Sequence, residues 1–182
     1  MEEKRLIRMA TSEDAEAILN IYAYYIEHTT ITFEIEVPTI SAFRERMARI
    51  MAQFPWMVCE IDGEVAGYAY ASSHGERAAY RWSADLSVYI HEKFHRRGIA
   101  SRLYNEVIEL LRKQGYYTVY AGVSTPNPRS EEFHTSCGFR CLGEFKNVGY
   151  KQGQWLGVAW YELPIGVYGK EPEEPKPVDA IL

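Results

Sequence analysis

The sequence predicts one α+β domain, in which a mixed central sheet of about seven strands is flanked by about four helices. The first observation behind this class is the order of strand-like and helix-like segments, β-α-α-β-β-β-α-β-α-β-β. The second is the composition, because 47% hydrophobic and 25% charged residues are typical of globular proteins. A chain of 182 residues is long enough for one sizeable core and too short for two ordinary domains.

The first half of the chain is expected to supply two helices and four strands. Thr11 is followed by acidic residues and then by apolar residues at helical spacing, which favours a helix start. A second helix is expected to begin near Thr39 and to end before Pro55. Asp62-Gly63 is a two-residue turn of the kind that joins hairpin strands. The expected helices cover about residues 12–26 and 39–54, and the expected strands cover 6–9, 56–61, 64–72 and 84–90.

The second half is expected to supply two helices and three strands, followed by a tail. Residues 99–114 are strongly amphipathic, and Gly115 directly after them is typical of a helix end. The other expected elements are a strand over 117–123, a short helix over 129–137 and two final strands over 139–148 and 155–163. We therefore expect a domain over residues 1–165 and a tail over 166–182. The tail is rich in proline and acidic residues, so we expect it to be disordered or to lie on a partner.

The charge and the cysteines argue against several classes of protein. The formal net charge is −5, whereas nucleic-acid binding needs a concentrated basic surface, so we expect no nucleic-acid partner. Cys59, Cys137 and Cys141 have no second Cys/His pair at zinc-ligand spacing, so we expect reduced thiols and no metal. The N-terminus is charged, and no segment approaches the roughly 20 apolar residues of a membrane span. We therefore expect a cytoplasmic protein without a membrane partner.

A strand, a basic turn and a helix start follow one another over residues 88–103. A helix N-terminus offers unpaired backbone N–H groups and a partial positive charge, which together bind phosphate. Gly98 allows close approach of the backbone, and Arg96 and Arg97 add positive charge. These features predict a pyrophosphate-binding turn, although an ordinary basic loop explains them equally well. The Walker and dinucleotide-binding glycine motifs do not occur.

The same turn resembles a known motif. His95-Arg96-Arg97-Gly98-Ile99-Ala100 is similar to the pyrophosphate motif of the GNAT acetyltransferase superfamily, Gln/Arg-x-x-Gly-x-Gly/Ala. Residues 6–163 resemble more closely the phosphinothricin and methionine sulfoximine N-acetyltransferase branch. The similar segments include Thr30-Ile31-Thr32-Phe33-Glu34, Phe54-Pro55-Trp56, Arg77-Ala78-Ala79-Tyr80-Arg81-Trp82, Cys137-Gly138-Phe139 and Gly149-Tyr150-Lys151-Gln152-Gly153-Gln154-Trp155. The resemblance implies the GNAT (acyl-CoA N-acyltransferase) fold and an N-acetyltransferase.

The resemblance further implies that acetyl-CoA lies in an opening between the fourth and fifth strands. Backbone groups of Val88, Tyr89 and Ile90 would then pair with its pantetheine as an added strand does. The N–H groups of Arg96, Arg97, Gly98, Ile99, Ala100 and Ser101 would bind the pyrophosphate. Asn127 matches a cofactor-contacting position, and it also suits a helix N-cap before Pro128.

The resemblance implies direct transfer of the acetyl group to an amine that must first lose a proton. The carboxylate at the family's proposed base position is Asp85, where close relatives carry Glu, so a water relay becomes more plausible than direct contact. Asp85 could equally cap or pair at a strand start. His134 matches a second candidate base, or it is a structural histidine. Tyr104 is a candidate for protonating the departing thiolate.

The acceptor side is expected to include the loop with Phe33 and Glu34, and the segment with Arg77 and Tyr80. Arg77 suits an anionic group such as a carboxylate or phosphinate, unless it is only a surface arginine. The implied substrate is a small amino-acid-like amine of the phosphinothricin or methionine sulfoximine type. The alternatives are another amine (a different amino acid, a polyamine or a protein N-terminus) and a non-catalytic module that binds acetyl-CoA.

Several further expectations follow from the resemblance. A homodimer is implied, with the final strands as plausible contact surfaces. Trp56 and Trp155 are expected in the core, and Lys151 is expected to be solvated in a tight turn. The chain departs from the family pattern at His95, Asp85 and Gly157, which stand where Gln/Arg, Glu and Asp are usual.

Overall fold

The computed structural model describes residues 3–169 and 171–182, and it confirms the predicted α+β architecture. The strands are β1 (Arg5–Met9), β2 (Trp56–Ile61), β3 (Glu64–Ser73), β4 (Ser83–Ile90), β5 (Thr118–Thr125), β6 (Arg140–Lys151) and β7 (Gln154–Pro164). The helices are α1 (Ala15–His28), α2 (Ile40–Met51), α3 (Ile99–Gln114) and α4 (Pro128–Ser136). In the described residues, no helix is long and apolar enough to cross a membrane.

The strands form one sheet in the order β1-β2-β3-β4-β5-β7-β6. Neighbouring strands are antiparallel except for β4 and β5, which are parallel. The parallel pair is joined through α3, which crosses over one face of the sheet. The last two strands are longer than expected, so the turn between them narrows to Gln152-Gly153.

Strands β4 and β5 pair only at their beginnings. Three residue pairs connect them, from Ser83↔Thr118 to Asp85↔Tyr120, and beyond these the two strands are no longer paired. The carbonyl oxygens of Leu86 and Ile90 instead accept hydrogen bonds from side chains. The middle of the sheet is therefore open on the side toward the C-terminal end of β4.

Two hydrophobic clusters cover the two faces of the sheet. One face packs on α3 through buried residues at helical spacing, among them Leu103, Val107 and Leu111. The other face packs on α1 and α2 around Ile18, Phe43 and Trp56. The prediction that Trp56 belongs to the core is confirmed, because its side chain is buried.

The tail does not match the expectation of disorder or of binding to a partner. Residues 171–182 lie against the chain itself, where the backbone of Lys176 and Val178 bonds to Gln114 and Gln53. The side chain of Val178 is only 1% exposed. Arg81 also forms an ion pair with Glu174. The composition of the tail does not reveal that the domain buries one of its apolar side chains.

Truncation of Val178 tests this packing. We expect Val178→Ala to lower the free energy of unfolding by about 1–3 kcal/mol, because it removes buried apolar surface and leaves a cavity. Val167→Ala is the matched control, since Val167 is 88% exposed and its truncation should change stability by less than about 0.5 kcal/mol. Chemical denaturation measures both variants. Equal stability of the two variants would contradict the packing of the tail.

Candidate active site

The start of α3 has the backbone geometry of an anion-binding turn. Gly98 precedes the helix with a φ of +70°, and Arg96 also lies in the left-handed region with a φ of +62°. This conformation turns successive N–H groups toward one side, where they can bind an anion together. The side chain of Arg97 is engaged with Glu3 at 2.9 Å. The main chain, more than the side chain of Arg97, therefore suits this turn to an anion.

A cleft of about 340 Å³ lies in front of this turn. The sequence-predicted residues that line it are Val88, Ile90, Arg96, Arg97, Gly98, Ile99, Ala100, Ser101 and Asn127. Tyr89 lines a smaller adjoining cavity of about 60 Å³ instead. The structure therefore brings nearly all the residues predicted for the cofactor into one cleft.

The start of α4 faces the same cleft. Asn127 is its N-cap, and its Oδ1 accepts a hydrogen bond from the Ser130 N–H at 3.2 Å. Both functions considered for Asn127 are thus compatible, because it caps the helix and lines the cleft. The positive ends of two helices meet at this cleft, which favours a negatively charged ligand. Arg129 and Ser130, which the sequence analysis did not include, also line the cleft, and the N-cap pattern Asn127-Pro128 could have indicated them.

The edge of β4 presents alternate main-chain groups to the opening. The carbonyl of Ile90 accepts hydrogen bonds from Tyr25 Oη at 2.6 Å and from His95 Nε2 at 3.0 Å. Because the N–H and C=O of one strand residue point to the same side, Leu86, Val88 and Ile90 face the opening, whereas Tyr89 faces β3. Of the three predicted residues, Val88 and Ile90 can pair with a ligand through the main chain, and Tyr89 cannot.

His134 and Tyr104 form a buried pair on the α3 side of the sheet. The Tyr104 hydroxyl lies 2.8 Å from His134 Nε2, and His134 Nδ1 lies 2.7 Å from the carbonyl of Ser130. A carbonyl only accepts, so Nδ1 carries the proton and Nε2 accepts from Tyr104. Burial lowers the pKa of His134, which is 5% exposed, and raises the pKa of Tyr104 well above its usual range. His134 therefore orients Tyr104 and has no nitrogen free to act as a base.

Asp85 lies on the opposite face of the sheet from this pair. Side chains alternate along a strand, and the neighbouring Ala84 and Leu86 both face the α3 cluster. Its carboxylate is 2.6 Å from Nδ1 of His74, a residue that the sequence analysis did not identify. Burial raises the pKa of Asp85, and the contact with His74 partly opposes this effect. The register could have indicated His74, because Ser72 pairs with Asp85 and His74 comes two residues later.

The residues predicted for the acceptor do not form one cluster. Phe33 packs directly on Gly149, where any side chain would overlap its ring. The carboxylate of Glu34 is held by Arg46 Nη1 at 2.6 Å and by Tyr22 Oη at 3.0 Å, so Glu34 shapes its loop. Arg77 is exposed at the start of a short turn, and the ring of Tyr80 in that turn stands edge-on to His74.

Two expectations about the last hairpin are wrong. Trp155 is 63% exposed at the start of β7, although it shares a face of that strand with the buried Ala159 and Tyr161. Lys151 is buried, and its Nζ donates a hydrogen bond to the carbonyl of Thr32 at 2.9 Å. Gln152 also donates to the carbonyls of Glu27 and Thr29, at 3.2 and 3.4 Å. The tip of the hairpin therefore holds the loop with Phe33 and Glu34 in place. A local turn pattern does not predict such a long-range contact.

Comparisons with known proteins agree with this geometry. A family model described as an acetyltransferase (GNAT) domain matches residues 7–160. The chain is 33% identical over 175 residues to a phosphinothricin N-acetyltransferase of Streptomyces viridochromogenes, and the match covers 96% of this chain and 93% of that one. It is 29% identical to an L-methionine sulfoximine/L-methionine sulfone acetyltransferase of Salmonella typhimurium, over 87% of this chain and 94% of that one.

A solved structure extends the likeness to three dimensions. The crystal structure of a GNAT superfamily phosphinothricin acetyltransferase from Sinorhizobium meliloti in complex with acetyl-CoA superposes with a TM-score of 0.90 at 28% identity. The superposition covers 94% of this chain and 95% of that one. The chain therefore belongs to the GNAT acetyltransferase family, and acetyl-CoA is its co-substrate.

Proposed function

We propose that this acetyltransferase moves the acetyl group of acetyl-CoA to the primary amine of a small amino-acid-like substrate of the phosphinothricin or methionine sulfoximine type. The observation that carries the proposal is the opening between β4 and β5, with two helix N-termini at its α3 side and the Asp85 carboxylate on the other face. An anionic cofactor and a cationic amine can thus approach the same gap from opposite faces. The named relatives that accept such amines support the substrate class.

In the proposed complex, the pyrophosphate lies on the N–H groups of Arg96 to Ser101. The pantetheine runs along β4 and pairs with the main chain of Val88. This course leads the thioester toward Leu86, whose carbonyl lies 3.5 Å from the Tyr104 hydroxyl. Asn127 and Ser130 close the cleft on the α4 side.

The proposed reaction starts with removal of a proton from the ammonium group on the Asp85 side. The neutral amine then attacks the thioester carbonyl and forms a tetrahedral intermediate. Collapse of the intermediate releases the thiolate of coenzyme A on the side of Tyr104. Tyr104 would turn its one hydroxyl hydrogen from His134 Nε2 to this sulfur, although a thiolate leaves readily and needs little assistance.

The acceptor side favours an amino acid over a polyamine. Arg77 is an exposed cation at the start of the short turn whose Tyr80 ring contacts His74, and the nearby Arg81 already pairs with Glu174. A polyamine site requires free carboxylates, whereas Glu34 is neutralised by Arg46. The cytoplasmic location expected from the sequence stays a prediction.

Substitution at Gly98 tests the cofactor site. We expect Gly98→Ala to weaken acetyl-CoA binding about tenfold, because a left-handed alanine is strained by about 1–2 kcal/mol and the turn must shift to relieve the strain. Gly63→Ala is the matched control, since Gly63 has a φ of +86° and neither glycine has an atom within 4 Å of an added Cβ. Both variants should lose similar stability. Calorimetry should show weaker binding only for Gly98→Ala, and equal affinities would contradict the site.

A panel of amines tests the acceptor. Thiol release from acetyl-CoA should be fastest with methionine sulfoximine or phosphinothricin and much slower with putrescine or a peptide N-terminus. Arg77→Gln should raise KM for the amino acid about tenfold or more, because it removes a charged hydrogen bond to the carboxylate. The control Arg44→Gln alters an exposed arginine on α2. Turnover only with other amines would reject the substrate class, and binding of acetyl-CoA without any turnover would support the non-catalytic alternative.

Exposed apolar side chains on the last hairpin support a proposed homodimer. They are Leu142, Phe145, Val148, Tyr150 and Trp155. Leu142 and Phe145 lie on the face of the sheet that carries His74, whereas Tyr150 and Trp155 lie on the face of Tyr161. Exposed apolar groups on one hairpin are typical of a protein interface, and two-fold pairing of the hairpins from two copies would cover them.

Light scattering after size-exclusion chromatography tests this dimer. The wild type should have twice the chain mass of 21.0 kDa, and Phe145→Asp should be monomeric at micromolar concentration because it would bury a charge in the interface. The control Val167→Asp changes an exposed apolar side chain outside the hairpin, and this variant should stay dimeric. A monomeric wild type would contradict the proposal.

A further inference from the structure

His74 is placed to act together with Asp85. The residue follows directly on β3, and its imidazole reaches across to β4 on the face that carries the Asp85 carboxylate. The His74 Nδ1 to Asp85 Oδ1 distance is 2.6 Å, and the two side chains are 24% and 29% exposed. Both groups are thus largely desolvated, yet they remain accessible from one side.

Aromatic side chains fix the plane of the His74 ring. The ring stacks on Tyr120 with a centroid distance of 4.2 Å and an interplanar angle of 22°. Tyr80 and Trp160 approach it edge-on, each with a centroid distance of 5.8 Å. These contacts hold the ring in one orientation, with Nδ1 toward the Asp85 carboxylate.

Nε2 of His74 is directed away from Asp85. An ionised Asp85 can only accept, so Nδ1 carries the proton and Nε2 has the lone pair. Nε2 has no hydrogen-bond partner among residues 3–169 and 171–182. His74 also lines an open cavity of about 530 Å³ between the β5–β7 region and the β3–β4 connection. The titratable groups around the ring are Asp85, Tyr80, Tyr120 and, across the cavity, Glu144.

We infer that Nε2 of His74, oriented by Asp85, takes the proton from the acceptor ammonium, so that the base of this enzyme is a histidine–carboxylate pair. The inference rests on the proposed N-acetyltransferase function and deepens it. The resemblance implies that relatives carry Glu where this chain has Asp85. Asp is one methylene shorter, and the His74 imidazole lies against its carboxylate. His134 cannot take this role, because its two nitrogens are bonded to Ser130 and Tyr104.

The proton balance of the step is complete. The ammonium transfers one proton to Nε2, and the resulting imidazolium is stabilised by Asp85. The free amine forms the new C–N bond in the tetrahedral intermediate, and the C–S bond then breaks and releases the thiolate. The nitrogen loses a second proton as the amide forms, this proton goes to the thiolate, and the imidazolium returns its proton to solvent through the cavity. Each turnover thus yields the amide, free coenzyme A and one released proton.

Substitution of His74 by an aromatic residue without nitrogen tests the inference. His74→Phe keeps the stacking on Tyr120, and we expect it to lower kcat about 10²- to 10⁴-fold while the affinity for acetyl-CoA is unchanged. The acidic limb of the kcat–pH profile should disappear with the imidazole. Asp85→Asn should cause a similar loss, and the double variant should be no slower than either single one, because the two residues act as a unit. His28→Asn, on the exposed end of α1, should behave as wild type.

A second measurement does not depend on the folding of these variants. The His74 Cε1 proton of the wild-type enzyme should titrate at the pH where kcat falls, and nitrogen shifts should show the proton on Nδ1. Imidazole added to His74→Ala should restore part of the activity. If His74→Phe keeps activity within about threefold with an unchanged profile, or His74 titrates more than one unit from the kinetic inflection, the inference is overturned. Absence of wild-type turnover with every amine would overturn both this inference and the proposed function.

Discussion

The separation of β4 from β5 after three paired residues is the constraint on which the site depends. Buried backbone N–H and C=O groups must find partners, so two parallel strands that part inside a sheet leave unpaired groups at its centre. Side chains donate to the carbonyl of Ile90, and the carbonyl of Leu86 lies 3.5 Å from the Tyr104 hydroxyl. The main chain of Val88 faces the gap, on the side away from β3. The gap is stable because helices α3 and α4 begin beside it and their first turns line it. In the proposed complex, the extended amide-containing arm of acetyl-CoA replaces the missing strand, and its phosphates reach the amides of the first turn of α3.

The sheet separates two chemical environments across this gap. On the α3 side, two helix N-termini offer positive potential, and the buried pair of Tyr104 and His134 offers one hydroxyl in a fixed orientation. On the other side, Asp85 and His74 offer a negative charge and a free imidazole nitrogen. Under the proposed function, the anionic cofactor and the cationic amine are attracted to opposite faces and meet where the strands part. The electrostatic arrangement follows from strand alternation, because residues 85 and 86 necessarily face opposite ways.

The sequence predicts the elements well, and it places the glycine turn before α3 correctly, because both depend on local patterns. Helix α3 has a strong apolar stripe and ends at a glycine, and Gly98 marks the turn before it. What could not be predicted depends on long-range contacts. The contact between His74 and Asp85 depends on the register of β3 and β4. The burial of Lys151 depends on the carbonyl of Thr32 in a distant loop. The position of Val178 depends on the backbone of Gln53 and Gln114. The exposure of Trp155 could not be foreseen from its residue type, because large aromatic residues occur in cores and at interfaces alike.

Amide hydrogen exchange of the wild-type protein with and without acetyl-CoA shows whether the cofactor binds at the gap between β4 and β5, since it reports on the backbone groups themselves. We expect saturating acetyl-CoA to slow exchange at Val88 and at residues 98–101, and to leave the turn at Asp62-Gly63 unaffected. The ligand must bind elsewhere if protection appears at other sites while these amides exchange as before, and the role given to the parted strands would then be wrong.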